Sequence, residues 1–403
     1  MAQEKITAEL EELLQFLKTD DAAEQDPMLE MMRWILYQMM QIELQQRLGA
    51  SKGEHSDART GYLSGTRERR FDTRLGTLNL NIPKVRKGGY VPFFLNNRKR
   101  SEKALCSVVI EAYKNGVSTR RIEKLAQAMG IENISASEVS VINHELDDMV
   151  SDFRNRQLDS MYPILWADAL YEDIREDQRV VSKAVMVIQV LNMEGQREII
   201  AIEPMPEEST DTYKDLFNNL KSRGLKNVML VISDSHQGLK TAAKECFPDS
   251  SWQRCKVHFM RNILAKIPQQ QKKYVASKLK TIWNAVDRED AVILKDAFVS
   301  EFSKRYPNAV KCLEDGFEDS IQFYAFKCFD PRKISSSNCL ERVNREIRRR
   351  TRKVGIFPSS ESYIRLVTSY MIEYTEDWKE GRCYIKAETI KLQIEELNKE
   401  QAA

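Results

Sequence analysis

No stretch of this 403-residue sequence sustains an apolar run near the ~20 residues a membrane-spanning helix needs, which excludes a helical membrane protein. Met1 to Glu12 is acidic and polar, unlike a secretory signal. Cysteine is sparse: seven residues, odd in number, scattered and without a CxxC pair. That argues against a disulfide framework and for reduced thiols in the cytoplasm. Internal repeats and low-complexity segments are absent. Net charge is nearly absent too, at +2, so the chain is no polycation.

What is present is charge unevenly placed. Acidic residues dominate Glu9 to Glu43, and basic residues cluster at Arg67–Arg74, Lys84–Lys87, Arg98–Lys103 and Arg342–Lys353. Screening confines charge to roughly 8–10 Å, so these patches matter more to a phosphate partner than the total does. The length predicts two to four domains, and a hydrophobic fraction of 42% is ample for a core.

Along the chain, Leu10, Leu13, Leu14 and Leu17 repeat at helical spacing, and Leu29 to Leu48 forms a Met-rich second helix. This region either packs on the rest of the chain or meets a second copy. Ser51 to Gly65 reads as a loop. Arg70 to Ile82 alternates around Gly76, predicting a β-hairpin, and Pro83 to Pro92 reads as a basic linker. Three short helices follow: Ala104–Tyr113, one capped by Ser118, and one opened by Ser135-Ala136-Ser137-Glu138. Their tight turns and basic residues predict a helix-turn-helix unit, with Ser135 to Leu146 in a major groove and Arg120 and Arg121 on phosphate.

From Tyr162 the pattern turns to strands. Ile164–Trp166 leads into Asp168, Ala184–Leu191 and Glu198–Ile202 flank a turn at Glu194-Gly195, and Val228–Ile232 reads as a buried strand. With Trp252–Val257 and the intervening helices, this is the element order of a ribonuclease-H-like sheet. Pro268 to Phe326 reads as wholly helical, an insertion before the helix at Ser335–Arg350. The fold class expected is therefore mixed: a helical and small-β DNA-binding region, then an α/β ribonuclease-H-like catalytic domain with an all-helical insertion. The corresponding divisions are 1–60, 61–150, 160–266, 267–330 and 331–403.

Three carboxylates stand out. Asp168 and Asp234 each follow an apolar strand, and side chains at strand ends converge in the crevice where open α/β sheets bind ligands. Such oxygens suit hard divalent cations, and paired ions stabilise both oxygens of a phosphoryl displacement. Asp234 has a helix cap as its alternative, and Asp173 and Asp177 compete with Asp168 but read as solvated loop positions. Glu341 borders the inner face marked by Leu340, Val343 and Ile347, and Glu346 is its rival. Arg342, Arg345, Arg348, Arg349 and Arg352 follow on the same helix, either a solvated face or a phosphate track. Cys255 and His258 form a lone CxxH, too few ligands for a zinc site and so either structural or near the site. His236 is a further neighbour.

Seven stretches in order across roughly Gly61 to Trp378 resemble the Mutator-type transposases of bacterial insertion sequences. They begin at Asp72-Thr-Arg-Leu-Gly-Thr, Ile82-Pro-Lys-Val-Arg-Lys-Gly, Gly116-Val-Ser-Thr-Arg-Arg, Ser233-Asp-Ser-His-Gln-Gly-Leu, Trp252-Gln-Arg-Cys-Lys-Val-His-Phe, Asn338-Cys-Leu-Glu-Arg-Val-Asn-Arg-Glu and Val354-Gly-Ile-Phe-Pro. The resemblance implies a catalytic triad of Asp168, Asp234 and Glu341 binding Mg²⁺ (or Mn²⁺), two ions in all. It also implies cleavage at terminal inverted repeats, strand transfer into target DNA, and double-stranded DNA as partner. A homodimer or higher assembly, nucleoid-associated in the cytoplasm, is the expected setting. Cys339 departs from the proline expected of relatives. Two other readings stand beside this one: a catalytically inactive DNA-binding protein of the same fold, and a ribonuclease-H-like nuclease that cuts without joining.

Overall fold

A computed structural model of the chain describes residues 26–403 except 51–57, 87–88, 96–100, 132–133, 382 and 403, together with Glu11 and Gln15. Apart from Glu11 and Gln15, the expected helix on Leu10 to Leu17 lies outside the described residues, as does the first half of the basic stretch Arg98–Lys103. The chain divides into two compact units, 1–145 and 146–403.

In the first unit, Asp26 Oδ1 accepts the Met28 N–H at 2.9 Å and Pro27 occupies the first turn, starting helix α1 (Pro27–Leu48). Its buried residues Leu36, Met40, Leu44 and Leu48 recur every four positions. They pack on Phe71 of strand β1 (Leu63–Thr73) and on Leu78, Leu80 and Ile82 of strand β2 (Gly76–Val85). The two strands pair antiparallel around Arg74-Leu75, closing at Thr73 opposite Gly76. Both reach further than the sequence predicts: β1 takes in Leu63 to Gly65 and β2 takes in Pro83. A two-stranded ribbon has an open edge on each strand, so a proline lacking N–H is accommodated there.

Three helices complete this unit: α2 (Lys103–Lys114), α3 (Thr119–Ala128) and α4 (Ala136–Asn143). Ser135 Oγ accepts the Glu138 N–H at 3.1 Å, whereas Ser118 stands at the start of α3 without a side-chain cap bond. Ile122, Ala126, Val139 and Ile142 face inward, and Arg120 and Arg121 are exposed. Helix α4 stops short of the predicted Leu146.

The second unit opens with α5 (Leu146–Asn155) and is organised by a five-stranded mixed sheet. Its strands are β3 (Met161–Glu176), β4 (Arg179–Leu191), β5 (Arg197–Met205), β6 (Asn227–Ser233) and β7 (Ser251–Arg254). The order is β5-β4-β3-β6-β7; β3, β4 and β5 run antiparallel, while β6 and β7 run parallel to β3. Alternation along β3 sorts its side chains. Leu165 and Ala167 join the core made with α6 (Thr210–Ser222) and α7 (Gln237–Cys246), through Phe217, Leu220, Leu239 and Ala242. Asp168 and Glu172 point to the opposite face.

That face is covered by α12 (Asn338–Val354) and α13 (Ser360–Glu380), the latter tied to α5 by the buried Arg365 gripping Asp147 at 2.6 and 3.0 Å. Between α8 (Lys256–Leu264) and α12 stands the predicted helical insertion, with α9 (Lys272–Ile282), α10 (Arg288–Phe302) and α11 (Pro307–Ser320). It docks on the sheet edge through the fully buried Gln253. That amide donates to the Ser320 carbonyl at 2.8 Å and accepts from Phe323 N at 2.9 Å. No described helix is long and apolar enough to cross a membrane.

Candidate active site

Asp168 does not end a strand, as its sequence setting suggests; it lies in the middle of the 16-residue β3. The antiparallel ladder with β4 continues to Glu176 opposite Arg179, closed by Asp177 and Gln178 at positive φ (46° and 65°). Asp173 therefore sits on a strand and Asp177 in the turn. On its other side β3 has a shorter partner. The parallel pairing with β6 stops at Trp166 opposite Ile232. Continued two residues, that register sets Asp168 beside Asp234, at the point where the strands part and a crevice opens. Asp234 Oδ1 also accepts the His236 N–H at 3.2 Å, so it has the turn-forming role open to it as well.

Helix α12 brings the third carboxylate. Leu340, Val343 and Ile347 are buried against the sheet, and Asn344 and Thr351 share that side. Asn344 Nδ2 donates to Asp168 Oδ2 at 2.8 Å, and Thr351 Oγ1 donates to Glu172 Oε1 at 3.0 Å. Two polar contacts thus fix α12 along β3. Three residues before Asn344, Glu341 projects at the edge of the same face. Its Oε1 lies 3.4 Å from His258 Nε2 and 3.8 Å from an Arg261 nitrogen. The rival Glu346 lines the same cleft but is engaged by Arg350 at 2.9 Å, and that guanidinium is stacked on Tyr370 at 3.1 Å from the ring centre.

Burial pushes the Asp168 carboxyl up to about 6; the charge of His258 and the Asn344 hydrogen bond oppose this, while Asp234 and Glu341 add to it. Like charges therefore crowd here. Three oxygen donors fit a hard divalent cation in kind, because a cation relieves this crowding. In spacing they are not yet a ligand set: among the described residues no group of three His, Cys, Asp or Glu side chains stands close enough to hold an ion.

Behind Glu341, the buried Cys255 accepts from both Ser337 N and Ser337 Oγ at 3.4 Å. Ser337 immediately precedes α12, so the sulfur braces the start of the glutamate helix. The polar interaction with Cys255 pushes His258 up to about 9. Burial would raise the thiol, but His258 and Ser337 outweigh it and hold Cys255 below its usual range. His258 Nδ1 makes no directed hydrogen bond among the described residues.

A cleft of about 760 Å³ opens beside these groups, lined by Asp168, Glu341 and Asn344 and by Arg261, Arg345, Arg348, Arg349 and Arg352. Arg342 is not in its lining and faces the neighbourhood of Tyr384. Arg120 and Arg121 belong to the other unit. His236 stands by Asp234 with Tyr213 edge-on at 5.3 Å and Glu208 at 3.9 Å from Nε2. Sequence reasoning missed Asn344 and Arg261. Asn344 carried one usable signal, an amide placed between the inner residues Val343 and Ile347.

The profile of the family described as Transposase, Mutator family, matches residues 1–381. The transposase for insertion sequence element ISRM5 of Rhizobium meliloti is 36% identical over 93% of this chain and 96% of its own length. That for IS1081 of Mycobacterium tuberculosis is 40% identical over 87% and 85%. That for IS256 in transposon Tn4001 of Staphylococcus aureus is 34% identical over 92% and 94%. Among solved structures, the Drosophila P element transposase strand transfer complex aligns over 71% of this chain and 82% of its own at 10% identity; its TM-score of 0.28 lends the alignment no weight.

Proposed function

Because the chain belongs to the Mutator family of transposases, we propose that it cuts and joins DNA with Asp168, Asp234 and Glu341 on a ribonuclease-H-like core. One observation carries the reading. The β3–β6 register, continued, sets two aspartates side by side, and a helix bound to Asp168 through Asn344 presents a glutamate and four arginines to the cleft that Asp168 lines. The sheet order, with three antiparallel strands followed by two parallel ones, supports the fold assignment.

In this reading the three carboxylates would hold Mg²⁺ (or Mn²⁺), two ions in all. When bound, such ions supply a nucleophile at neutral pH and stabilise the leaving oxygen of an in-line displacement at phosphorus. The chain's own residues do the rest. Asn344 holds Asp168 in one orientation. His258 and Arg261 bear on Glu341. Arg345, Arg348, Arg349 and Arg352 grip the phosphate backbone of the strand being cut or of the target, leaving sequence to be read elsewhere. Residues 61–150 are assigned to the terminal inverted repeats, with α4 in the major groove. Pairing of two element ends calls for a homodimer or larger assembly, acting at the nucleoid.

The test is a Mg²⁺-dependent reaction on labelled terminal-repeat duplex. Cleavage with strand transfer is expected. Cleavage alone would favour a hydrolytic nuclease, and binding without cleavage would favour an inactive DNA-binding protein. Alanine at Asp168, Asp234 or Glu341 should abolish both steps and leave end binding intact. Loss of joining in Glu346→Ala but not in Glu341→Ala would overturn the glutamate assignment.

A further inference from the structure

We propose that Arg254 is a DNA-phosphate contact beside Asp234, held in place by the helical insertion through Gly316. The inference rests on the transposase reading of the site. Arg254 ends strand β7, the edge strand next to β6, and its NH2 donates to Ser235 Oγ at 3.1 Å, one residue beyond Asp234. A hydroxyl is a neutral acceptor. Among the described residues no carboxylate lies within ion-pair distance of this guanidinium, and its buried Nε has no partner. Asp319, whose charge it feels, is already engaged by Lys240. Burial disfavours the charged form, and Cys312, Asp319 and Asp234 only partly offset this.

A half-buried cation left without its counter-ion costs stability, yet this one is held firmly. Its guanidinium lies 4.0 Å from the centre of the Phe259 ring. Gly316 of α11 abuts the edge of this pair: a Cβ there would come within 2.1 Å of Arg254 NH1 and 2.9 Å of the Phe259 ring. The glycine leaves room for the planar group and nothing larger. Gln253, the preceding residue, locks the same insertion to the strand. A positioned guanidinium fork lacking an anion, at the mouth of a carboxylate crevice, suits a phosphodiester oxygen. The insertion then acts as the wall that aims one phosphate contact, not as a remote appendage.

The test uses the full-length protein and terminal-repeat duplexes carrying a single neutral methylphosphonate at successive positions around the cleaved bond. In the wild type, one or two positions should cost about tenfold in affinity, the scale of one charge-assisted hydrogen bond. In Arg254→Gln, unmodified DNA should bind about tenfold more weakly and those same positions should cost nothing further. Gly316→Ala, which keeps the charge but displaces the group, should show the same insensitivity. The unfolding midpoint of Arg254→Gln should hold or rise. A lowered midpoint with the wild-type methylphosphonate profile intact would make Arg254 a structural clamp and overturn the proposal while the transposase reading stands. If the wild type neither binds nor cleaves its element ends, both fall together.

Discussion

Replacing Asp168 with asparagine should stabilise the metal-free protein while abolishing strand transfer. Asp168 is held by Asn344 and faces Asp234, Glu341 and His258, and burial with like charge raises its carboxyl from 3.8 to about 6. The folded state therefore binds this proton more tightly than the unfolded chain. Stability contributed by the protonated form is present at low pH and is lost as pH rises from about 4 through 6. By pH 7.5 the full penalty applies, about 3 kcal/mol at 1.36 kcal/mol per pH unit. Asparagine carries no charge and can still offer its carbonyl oxygen to Asn344. In EDTA at pH 7.5 its midpoint should exceed the wild type's by roughly 5–10 °C, with the gap about halved at pH 5. Added Mg²⁺ should raise the wild-type midpoint by mass action and barely move the variant's. Scanning calorimetry across pH 5–8, with and without Mg²⁺, reads all of this. Equal midpoints in EDTA at pH 7.5 would refute the claim that the carboxylate is crowded.

Asn344→Ala should lower strand transfer by about 10–100-fold, the usual cost of losing a partner that orients a ligand, with terminal-repeat affinity unchanged; undiminished transfer would leave Asn344 no positioning role. Arg348→Ala with Arg349→Ala should flatten the log–log salt dependence of DNA binding by about two units, and an unchanged slope would return that helix face to solvent. In Cys255→Ala, which removes the largest cause of the His258 rise, the imidazole should titrate well below about 9, moving toward 6.5. NMR of the ring protons measures this, and a midpoint that stayed near 9 would mean Asp168 and not the sulfur sustains the imidazolium.

The catalytic candidates were legible because each departs from the pattern around it. Asp168 follows a run of buried apolar residues, and Asp234 follows the buried strand β6. The length of β3 was not legible. Tyr171 to Glu176 carries four charged residues in six, and along the strand Tyr171, Asp173 and Arg175 are exposed while Leu170, Glu172 and Ile174 are buried. A ladder whose outer face meets water has no need of apolar residues on it, so the β3–β4 extension reads as a loop. On α12 the helical period did sort the arginines. Arg345, Arg348, Arg349 and Arg352 line the cleft and Arg342 turns away, whereas charge alone had grouped all five. Spacing alone left Glu341 and Glu346 open, and the resemblance pointed to Glu341; the Arg350–Tyr370 stack that engages Glu346 joins residues 20 apart on two helices, beyond the reach of helical periodicity.

The lone CxxH illustrates a different limit. Counting ligands excluded zinc and left two alternatives, a packed cysteine or a neighbour of the site. The two residues in fact meet one helix from different ends of its first turn. Cys255 opens α8 and accepts from Ser337, where α12 begins; His258, three residues on, faces Glu341 within that helix's first turn. A spacing of three returns to nearly the same side of an α-helix, so the pair addresses α12 as a unit. The sulfur sets where the glutamate helix starts, and the imidazole sets the charge its carboxylate meets. Cys339 in that first turn is itself buried, so the helix start is held by packing and by Cys255 where a proline would otherwise have fixed the backbone. Substitution at Cys255 should therefore disturb the position of Glu341 as well as the charge on His258. Double substitution of Cys255 and His258 should cost less in strand transfer than the sum of the two single losses, because both act through the one glutamate.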